Sequence, residues 1–460
     1  MEVTNTNKPK AISLFALTWP IFIESLLYMF MGSTDTFMLS HISDNAVAAV
    51  GVANQLVFFT ILIFGFVAAG TTVLVSQNLG AGLREEARKI SGISLSLNLL
   101  FGILISILVV LLRETFLQLF HLTPEIKSLA SQYLWIVGGT LFTQALLVTA
   151  SSILRAHGFT REAMGITIIM NIIHLVGNSL FIFGLFGIPE MGVQGVAIST
   201  AVSRGISVFL IFIVLYKRLP LKIEKADYLY FHKETIKKIL KIGVPSAGES
   251  AVYNTSQMAI TAITAILGAV ALTTRVYTFN IMSFMMLFGI AIGQGTQILI
   301  GYKVGAREFD GAYQLLFRSL KRSLLMTMVV VIPVVLFREP LMGIFTNNEK
   351  IIHEGGILLL LCLILEPGRT FNLVIISSLR AAGDATFPVK MAFVSMWGVC
   401  VPLSYLFGIT LDLGLPGIWI AFIIDEWLRG IIMYFRWKSR KWEKKILIHD
   451  ESVSVPVQTA

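Results

Sequence analysis

Residues 14–40, with the sequence LFALTWPIFIESLLYMFMGSTDTFMLS, are long and apolar enough to cross a lipid bilayer as one α-helix. A hydrocarbon core of about 30 Å requires about 20 helical residues at about 1.5 Å per residue. This stretch contains Asp35, which lies a few residues before the polar turn at 40–44 and therefore inside the outer hydrocarbon layer. Ionisable side chains at such a depth usually face a cavity and bind ions or protons. The alternative is a helix-end carboxylate that reaches the lipid headgroups.

The composition of the whole chain indicates a polytopic membrane protein. Of its 460 residues, 55% are hydrophobic and 14% are charged, and the mean hydropathy is +0.79. Soluble globular proteins, with about 25% charged residues, are therefore excluded. Residues 1–10 are polar and the apolar run behind them is too long for a signal peptide, so we expect the N-terminus to be retained. Cys362 and Cys400 lie in apolar stretches, which predicts neither a disulfide framework nor a metal site.

Apolar windows of about 20 residues predict an all-α membrane protein with twelve transmembrane helices. The predicted spans lie near 14–39, 46–76, 91–112, 126–153, 163–187, 193–216, 240–266, 276–302, 320–337, 352–378, 388–408 and 415–436.

The basic residues are distributed unequally between the two ends of these spans. On the side that holds the N-terminus lie 28 of the 36 Lys and Arg residues, with 5 on the other side and 3 within spans. The positive-inside rule then predicts a multi-pass protein of the cell membrane with both termini in the cytoplasm. The net charge of +9 reflects this topology, so no nucleic-acid partner is predicted. The basic segment 436–445 is expected to rest on an anionic lipid surface.

The two halves of the chain repeat each other. Adding 225 to a residue number in the first half finds the same residue type in the second half, and the offset becomes 222 after a small gap. The pairs are Pro20 and Pro245, Glu24 and Glu249, Gly70 and Gly295, Gly80 and Gly305, Arg155 and Arg380, Gly158 and Gly383, and then Gly192 and Gly414. Each half has an even number of spans, so the repeat is parallel, as in transporters whose substrate path lies between two lobes.

This repeat divides the chain into two pseudo-symmetric six-helix bundles around a central cavity. The predicted parts are an N-terminal lobe (1–216), a basic cytoplasmic linker (217–241), a C-terminal lobe (242–436) and a cytoplasmic tail (437–460).

Several short motifs, in this order and spacing, resemble those of the multidrug and toxic compound extrusion (MATE) family. They are DTFMLS at 35–40 followed by AVAAVG, NLGAG at 78–82, LRAHG at 154–158 with its echo LRAAGD at 379–384, NSLFIFG at 178–184 and GVQGVAIST at 192–200. The likeness covers nearly the whole chain and implies a bacterial antiporter of two six-helix bundles. Such a protein exports amphipathic organic cations through a shared cavity in exchange for H+ or Na+.

Four polar residues of the N-terminal half lie at similar depths below the outer ends of their spans. At about 1.5 Å per residue they share a layer about 5 Å thick. They are Asp35, Tyr133, Asn178 and Thr200, with His174 one turn below Asn178. The first three correspond in the second half to the apolar residues Ile260, Leu358 and Leu403, which cannot bind a cation. We therefore predict a coupling site in the N-terminal lobe alone, with ordinary hydrogen bonds between helices as the alternative.

Asp35 is the predicted coupling residue. Enclosure away from water disfavours an ionised carboxylate, so Asp35 should be neutral when sealed and ionised when the cavity opens to water. The resemblance implies the same role, because the family shares a coupling aspartate in its first span. Where the family often has a fifth-span aspartate, this chain has Asn178, which cannot supply a second negative charge. We therefore expect coupling to protons rather than Na+, with no other cofactor and no metal.

The C-terminal half departs from the acid pattern of the NorM-type branch and is closer to the DinF-type pattern. Where the NorM-type branch has a seventh-span glutamate and a tenth-span aspartate, this chain has Tyr253 and Arg369. Its own intramembrane charges stand three or four residues apart, which favours ion pairs along one helix face. These charges are Glu366, Arg369, Asp425, Glu426 and Arg429. We interpret them as structural pairs, with gating as the alternative.

Glu24 and Glu249 occupy equivalent positions, each four residues after a proline. This symmetric occurrence favours a packing or hinge role near two proline kinks. Glu24 also lies about three helical turns from Asp35 on the same face, so a proton path along that face is the alternative.

The chain contains 32 Phe and 17 Met residues, whose adaptable side chains suit a promiscuous cavity. The predicted cavity residues are Tyr28, Met31, Phe279, Met282, Met285 and Met286.

Cation-coupled drug export is the first functional hypothesis. The alternative is a flippase or exporter of a lipid-linked or polysaccharide precursor, a class that lines its cavity with several arginines in related families. Of the intramembrane arginines Arg204, Arg369 and Arg429, two have acids nearby. An enzyme or an ATP-driven pump is not predicted, because the chain has no metalloprotease, nucleophile-elbow or phosphate-loop motif. The expected partners are small organic cations and membrane lipid, and we expect a monomer.

Overall fold

The computed structural model describes residues 13–187 and 189–448, and every regular element within them is a helix. This confirms the all-α prediction for the described part of the chain. The predicted cytoplasmic position of the two termini falls on residues 1–12 and 449–460, which lie outside the described residues.

Twelve long helical segments account for the twelve predicted spans, and each span lies within one segment or extends beyond it by a few residues. The segments are α1 (Leu14–Ser40), α2 (Asp44–Gly80), α3 (Arg84–Gln118), α4 (Pro124–Gly138 and Leu141–Ala156), α5 (Thr160–Phe183), α6 (Gly192–Arg218), α7 (Lys233–Ile266), α8 (Ala269–Gly305), α9 (Phe309–Leu336), α10 (Glu349–Ala381), α11 (Thr386–Thr410) and α12 (Gly414–Lys438). The connections contain the short helices Lys225–Leu229 and Arg338–Gly343 and the 3-10 turn Leu185–Gly187, and a further 3-10 turn, Lys441–Lys445, follows α12. The twelve-helix prediction is confirmed.

Two of the twelve helices are less apolar than the rest. Within the described residues, nine single helices and the bent α4 are long and apolar enough to cross a membrane. The remaining two carry buried charges, Glu249 in α7 and Asp425, Glu426 and Arg429 in α12. Charged side chains at membrane depth face the interior of a bundle or a cavity, so these two helices place their polar faces inside the protein.

Two spans are irregular in a way that the hydropathy pattern does not predict. The α4 segment contains a π-helical turn at Leu134–Gly138 and bends by 49° at the break that follows. The α11 segment contains π-helical turns at Met396–Cys400 and Leu406–Thr410, on either side of Pro402. Proline lacks a backbone N–H and interrupts the regular hydrogen-bond ladder, which explains the second irregularity.

The two lobes, α1–α6 and α7–α12, pack tightly at the end of the bundle that carries the basic loops. Helices α1 and α2 lie there against α7 and α8. Gly80 lies directly against the backbone of Tyr302, and Gly305 lies directly against the backbone of Gln77. The repeat offset of 225 relates these two contacts to each other, so the seam between the lobes is symmetric. A side chain on either glycine would overlap the backbone of the other lobe.

At the opposite end of the bundle, the hydrophobic clusters formed by the described residues stay within one lobe each. The cluster around Phe64 contains only residues of the first lobe, and the cluster around Trp419 contains only residues of the second. At the basic end, by contrast, Leu17 packs in one cluster with Ile298 of the other lobe. The lobes are therefore closed together at the basic end and form separate cores toward the other end.

The basic tail packs onto the protein, while its expected contact with an anionic lipid surface stays a prediction. Trp442 is buried and stacks on Trp437 with ring centroids 4.2 Å apart. The backbone N–H of Leu447 donates to Oε1 of Gln77 at 3.2 Å. Nε2 of Gln77 in turn donates to the carbonyl oxygen of Ala381 at 2.7 Å. The described part of the tail thus covers the seam between the lobes.

Candidate functional site

Asp35 lies on α1 inside the first lobe and is only 5% exposed. Nδ2 of Asn178 donates to its Oδ1 at 2.7 Å. Nε2 of His174 lies 3.3 Å from the same oxygen. Asn178 and His174 are one helical turn apart on α5, so a single face of that helix supplies both groups. The structure therefore brings three of the predicted coupling residues into one cluster.

Thr200 of α6 extends this cluster through His174. Its Oγ1 lies 3.2 Å from Nε2 of His174 and donates to the carbonyl oxygen of Val196 at 2.9 Å. Because the hydroxyl proton is used in that second bond, the threonine oxygen accepts from His174. A neutral His174 then carries its proton on Nε2, where it faces both Asp35 and Thr200.

Tyr133 lies beside this hydrogen-bonded cluster, with Thr200 and Asp35 among its neighbours. Its hydroxyl donates to Oδ1 of Asn54 at 3.1 Å, which links α4 to α2. Sequence reasoning did not select Asn54, since its neighbours in the chain show no motif. Tyr133 also lines the same cavity as Asp35.

That cavity has a volume of about 510 Å³ and is lined by helices of the first lobe. Its polar lining residues are Glu24, Tyr28, Asp35, Asn54, Tyr133, Gln144, Ser151, Arg155, Thr200 and Arg204. Tyr28 and Met31, two of the predicted cavity residues, line it. Asn178 and His174 are not part of the lining and lie behind Asp35, where they hold its carboxylate.

Glu24 and Glu249 form equivalent ion pairs in the two lobes. Glu24 accepts two hydrogen bonds from Nη1 of Arg155, at 2.9 and 3.0 Å. Glu249 accepts one from Nη2 of Arg380 at 2.6 Å. Each pair joins the first helix of its lobe to the fourth. The partners were not predicted, although both arginines belong to the duplicated LRA motif and share the offset of their glutamates.

The intramembrane charges of the second lobe form one network instead of separate pairs. Arg369 contacts Glu366 on its own helix at 2.5 Å and Glu426 on α12 at 3.4 Å. Arg429 contacts Glu426 at 2.8 Å and Asp425 at 3.0 Å. The spacing along each helix predicted the pairs within a helix, but it carries no information on the contact between α10 and α12.

Neutral side chains complete this network. Nδ2 of Asn372 donates to Glu426 at 2.9 Å, and the hydroxyl of Ser395 donates to Asp425 at 2.5 Å. Every carboxylate of the network thus has a cationic partner. Among the described residues, no three His, Cys, Asp or Glu side chains are grouped so as to hold a metal ion.

A second cavity of about 360 Å³ is lined mainly by the second lobe, including Glu249, Tyr253, Met286, Arg369 and Arg429. Of the four predicted cavity residues on α8, only Met286 lines it. The prediction was wrong for Met282 and Met285, which are buried in the hydrophobic core of the lobe. Phe279 lines neither of the two cavities.

Comparison with known proteins identifies relatives along almost the entire chain. The profile of the MatE family matches residues 20–180 and 245–406, one match in each lobe. The "Uncharacterized transporter YisQ" of Bacillus subtilis is 50% identical over 444 residues, which cover 96% of this chain and 98% of that protein. The "Probable multidrug resistance protein NorM" of Thermotoga maritima is 30% identical over 444 residues, 96% of this chain and 95% of that protein.

Solved structures share the fold. A MOP superfamily transporter from Pyrococcus furiosus, for which reverse polarity of the binding pocket is said to suggest a different function, matches with a TM-score of 0.86. Another, described as an outward-facing conformation of a multidrug resistance MATE family transporter, has the same TM-score of 0.86. Each is 19% identical and covers 93% of this chain and 95% of its own. This likeness confirms the two-lobe fold, whereas the DinF-type site pattern stays a prediction.

Proposed function

The chain belongs to the MatE family of multi-pass membrane transporters, and from this premise we propose that it is a secondary active antiporter that exports amphipathic organic cations in exchange for protons. The chain is a transporter and not an enzyme. The observation that carries the proposal is the environment of Asp35. Among the described residues, this buried acid makes no ion pair with Lys or Arg, and it lines the cavity of the first lobe. A buried carboxylate without a permanent cation must bind a proton or a mobile cation.

In the proposed exchange, the carboxylate of Asp35 binds the substrate cation and the proton in turn. Its Oδ1 is held by Asn178 and faces His174, while its Oδ2 accepts no hydrogen bond from any described residue. In the ionised state, Oδ2 attracts the positive group of a substrate in the cavity. A proton that enters from outside neutralises the carboxylate and removes this attraction, so the substrate leaves.

The packing of the lobes supports an outward-facing state. The end that carries most Lys and Arg residues is cytoplasmic by the positive-inside rule, and this is the end at which the lobes are closed. We place the protein in the cell membrane as a monomer with both termini in the cytoplasm. Rocking of the two lobes about the seam would expose the cavity alternately to the two sides.

The residues around Asp35 support proton coupling over Na+ coupling. A Na+ site requires several charged or carbonyl oxygens, and Asn178 contributes a neutral amide that already donates to Asp35. The flippase alternative gains no support, since acids neutralise four of the five arginines that line the two cavities. These four are Arg155, Arg369, Arg380 and Arg429.

The proposal is tested by ethidium transport in inverted membrane vesicles with an imposed pH gradient or Na+ gradient. We expect the wild type to respond to the pH gradient and Asp35→Asn to lose at least about 10-fold of the initial rate, because the amide cannot exchange a proton. Asp44→Asn, which removes an exposed acid at the start of α2, is the matched control and should keep the wild-type rate. An unchanged rate in Asp35→Asn would remove this residue from the mechanism.

A further inference from the structure

Arg204 is a buried cation without a partner in the wall of the first-lobe cavity. It lies on α6 and is 9% exposed. Its Nε and Nη1 atoms are buried and have no hydrogen-bond partner, and within residues 13–187 and 189–448 the guanidinium makes no ion pair. A buried guanidinium without a carboxylate is costly, and at membrane depth such a charge usually marks a site for a ligand.

The second lobe shows what the equivalent positions look like when they are paired. Arg204 corresponds to Glu426 by the offset of 222, and Gln144 corresponds to Arg369 by the offset of 225. In the second lobe, Arg369 and Glu426 form an ion pair at 3.4 Å. In the first lobe, Arg204 faces a cavity that also contains Gln144, whose buried Oε1 has no hydrogen-bond partner. Where the second lobe has an internal ion pair, the first lobe therefore has two polar side chains, Gln144 and Arg204, that are not bonded to each other and line one cavity.

The other charged groups of this cavity leave Arg204 free to bind a ligand. Glu24 is occupied by Arg155 at 2.9 Å. Asp35 is held by Asn178 and attracts Arg204 across the cavity, but the two side chains do not lie within ion-pair distance of each other. The other titratable groups near Arg204 are Tyr28, Tyr133 and His174, none of which is an anion near physiological pH. With Asp35 ionised, the cavity therefore offers one free carboxylate and one free guanidinium.

The two free charges lie at different depths. Thr200, which belongs to the Asp35 cluster through His174, is one helical turn from Arg204 on α6. One turn of four residues corresponds to about 6 Å along the helix axis. A ligand that contacts both groups must therefore carry opposite charges a few ångströms apart.

We propose that Arg204 binds a carboxylate group of the substrate, so that the first-lobe cavity is built for zwitterions with a cationic amine and a carboxylate. This inference rests on the proposed antiport function and names the substrate class more narrowly. The planar guanidinium matches a carboxylate through two parallel hydrogen bonds, and Oε1 of Gln144 offers an acceptor for a nearby donor of the substrate. Asp35 holds the amine, and protonation of Asp35 releases that half of the molecule.

Two dyes that differ only at the carboxyl group provide the test. Rhodamine 110 carries a free carboxylate and a cationic ring system, and rhodamine 123 is its methyl ester and only cationic. We measure efflux of both dyes and of ethidium from proteoliposomes, and dye binding to purified protein by fluorescence anisotropy. Arg204→Gln is expected to weaken binding and transport of rhodamine 110 at least about 10-fold and to leave rhodamine 123 within about 2-fold. Arg204→Lys, which keeps the charge but loses the planar fork, should fall between wild type and Arg204→Gln.

The matched control is Arg275→Gln, which removes a buried arginine outside both cavities. Arg275 donates to Thr261 and Gln257 at 2.8 Å each, so its loss should not separate the two dyes. The inference is overturned if Arg204→Gln weakens both dyes equally, or if wild type binds rhodamine 110 no better than Arg204→Gln does. If wild type transports no dye, including ethidium, under either gradient, the antiport proposal fails. Selective loss of rhodamine 110 binding in Arg204→Gln would still support the carboxylate site.

Discussion

Each of the two lobes has the same glutamate–arginine ion pair near the closed end. The lobes differ in whether the other buried charged side chains of their cavities are paired. Glu24 with Arg155 and Glu249 with Arg380 repeat the same contact between the first and fourth helices. Beyond this pair, the first lobe leaves Asp35 without a strong cation, whereas the second lobe joins its charges into a network. The comparison favours a structural role for the shared pair and supports the proposal that ions and substrate are exchanged in the first lobe.

The difference is one of pairing and not of polarity, since both cavities contain buried ionisable groups. In the second lobe each carboxylate contacts a guanidinium, and further hydrogen bonds come from Asn372 and Ser395. Breaking such a network leaves buried charges uncompensated. In the first lobe, Asp35 and Arg204 are already unpaired, so changes there should alter binding more than stability. The following predictions test this contrast, from the largest expected effect to the smallest.

Arg369→Gln is expected to produce the largest loss of stability. The substitution leaves three carboxylates of the second-lobe network with Arg429 as their cation, and removal of one partner of a buried pair costs about 3–5 kcal/mol. Arg204→Gln removes a charge that has no partner and should change stability by less than about 1 kcal/mol. The apparent melting temperatures of the two purified variants in detergent provide the measurement.

A double variant controls for simple loss of packing at Arg369. Combining Arg369→Gln with Glu366→Gln restores the balance of charge in the network and should recover part of the lost stability, since coupled groups are not additive. Equal melting temperatures for Arg204→Gln and Arg369→Gln would show that the two lobes do not differ in pairing.

Gly80→Ala and Gly305→Ala test the one region in which the lobes are expected to behave alike. Each added methyl group overlaps the backbone of the other lobe, and overpacking of this kind costs about 1–3 kcal/mol. Because the two contacts are related by the repeat, both variants should lower the melting temperature equally and slow ethidium efflux. Gly165→Ala is the control: it lies inside α5 with open space around it, so alanine should stabilise the helix by about 0.5–1 kcal/mol. A neutral result for only one seam glycine would contradict the symmetric seam.

The sequence predicted the helices and the repeat well because the bilayer sets a fixed helix length and duplication keeps a constant offset. Depth along each span also predicted that Asp35, Tyr133, Asn178 and Thr200 lie in one layer, with His174 just below it. The sequence could not predict contacts that depend on the rotation of one helix against another. For this reason the contact between Arg369 and Glu426 was missed, and Met282 was assigned to a cavity although it lies in the core.

Arg155 and Arg380 show a signal that was present but not used. Both arginines and their glutamate partners are duplicated with the same offset, and joint duplication of opposite charges at one depth favours a contact between them. Arg204 gave no such signal. Its equivalent position holds the acid Glu426, so the arginine is not duplicated, and no acid nearby in its own span points to a partner. The role of Arg204 follows from the cavity that it lines, and this cavity is defined only by the folded arrangement of α1, α4 and α6.

The smallest predicted effect compares one tyrosine hydroxyl in each lobe. The hydroxyl of Tyr133 donates to Asn54 at 3.1 Å, so Tyr133→Phe should cost about 0.5–1.5 kcal/mol, the usual net contribution of such a bond. The hydroxyl of Tyr253 is buried without a partner among the described residues. Removal of an unpaired buried hydroxyl relieves a desolvation penalty, so Tyr253→Phe should leave the melting temperature unchanged or slightly raised. A clear loss of stability in Tyr253→Phe would mean that this hydroxyl binds a group in the second cavity, and that cavity would then share the ligand-binding role assigned to the first.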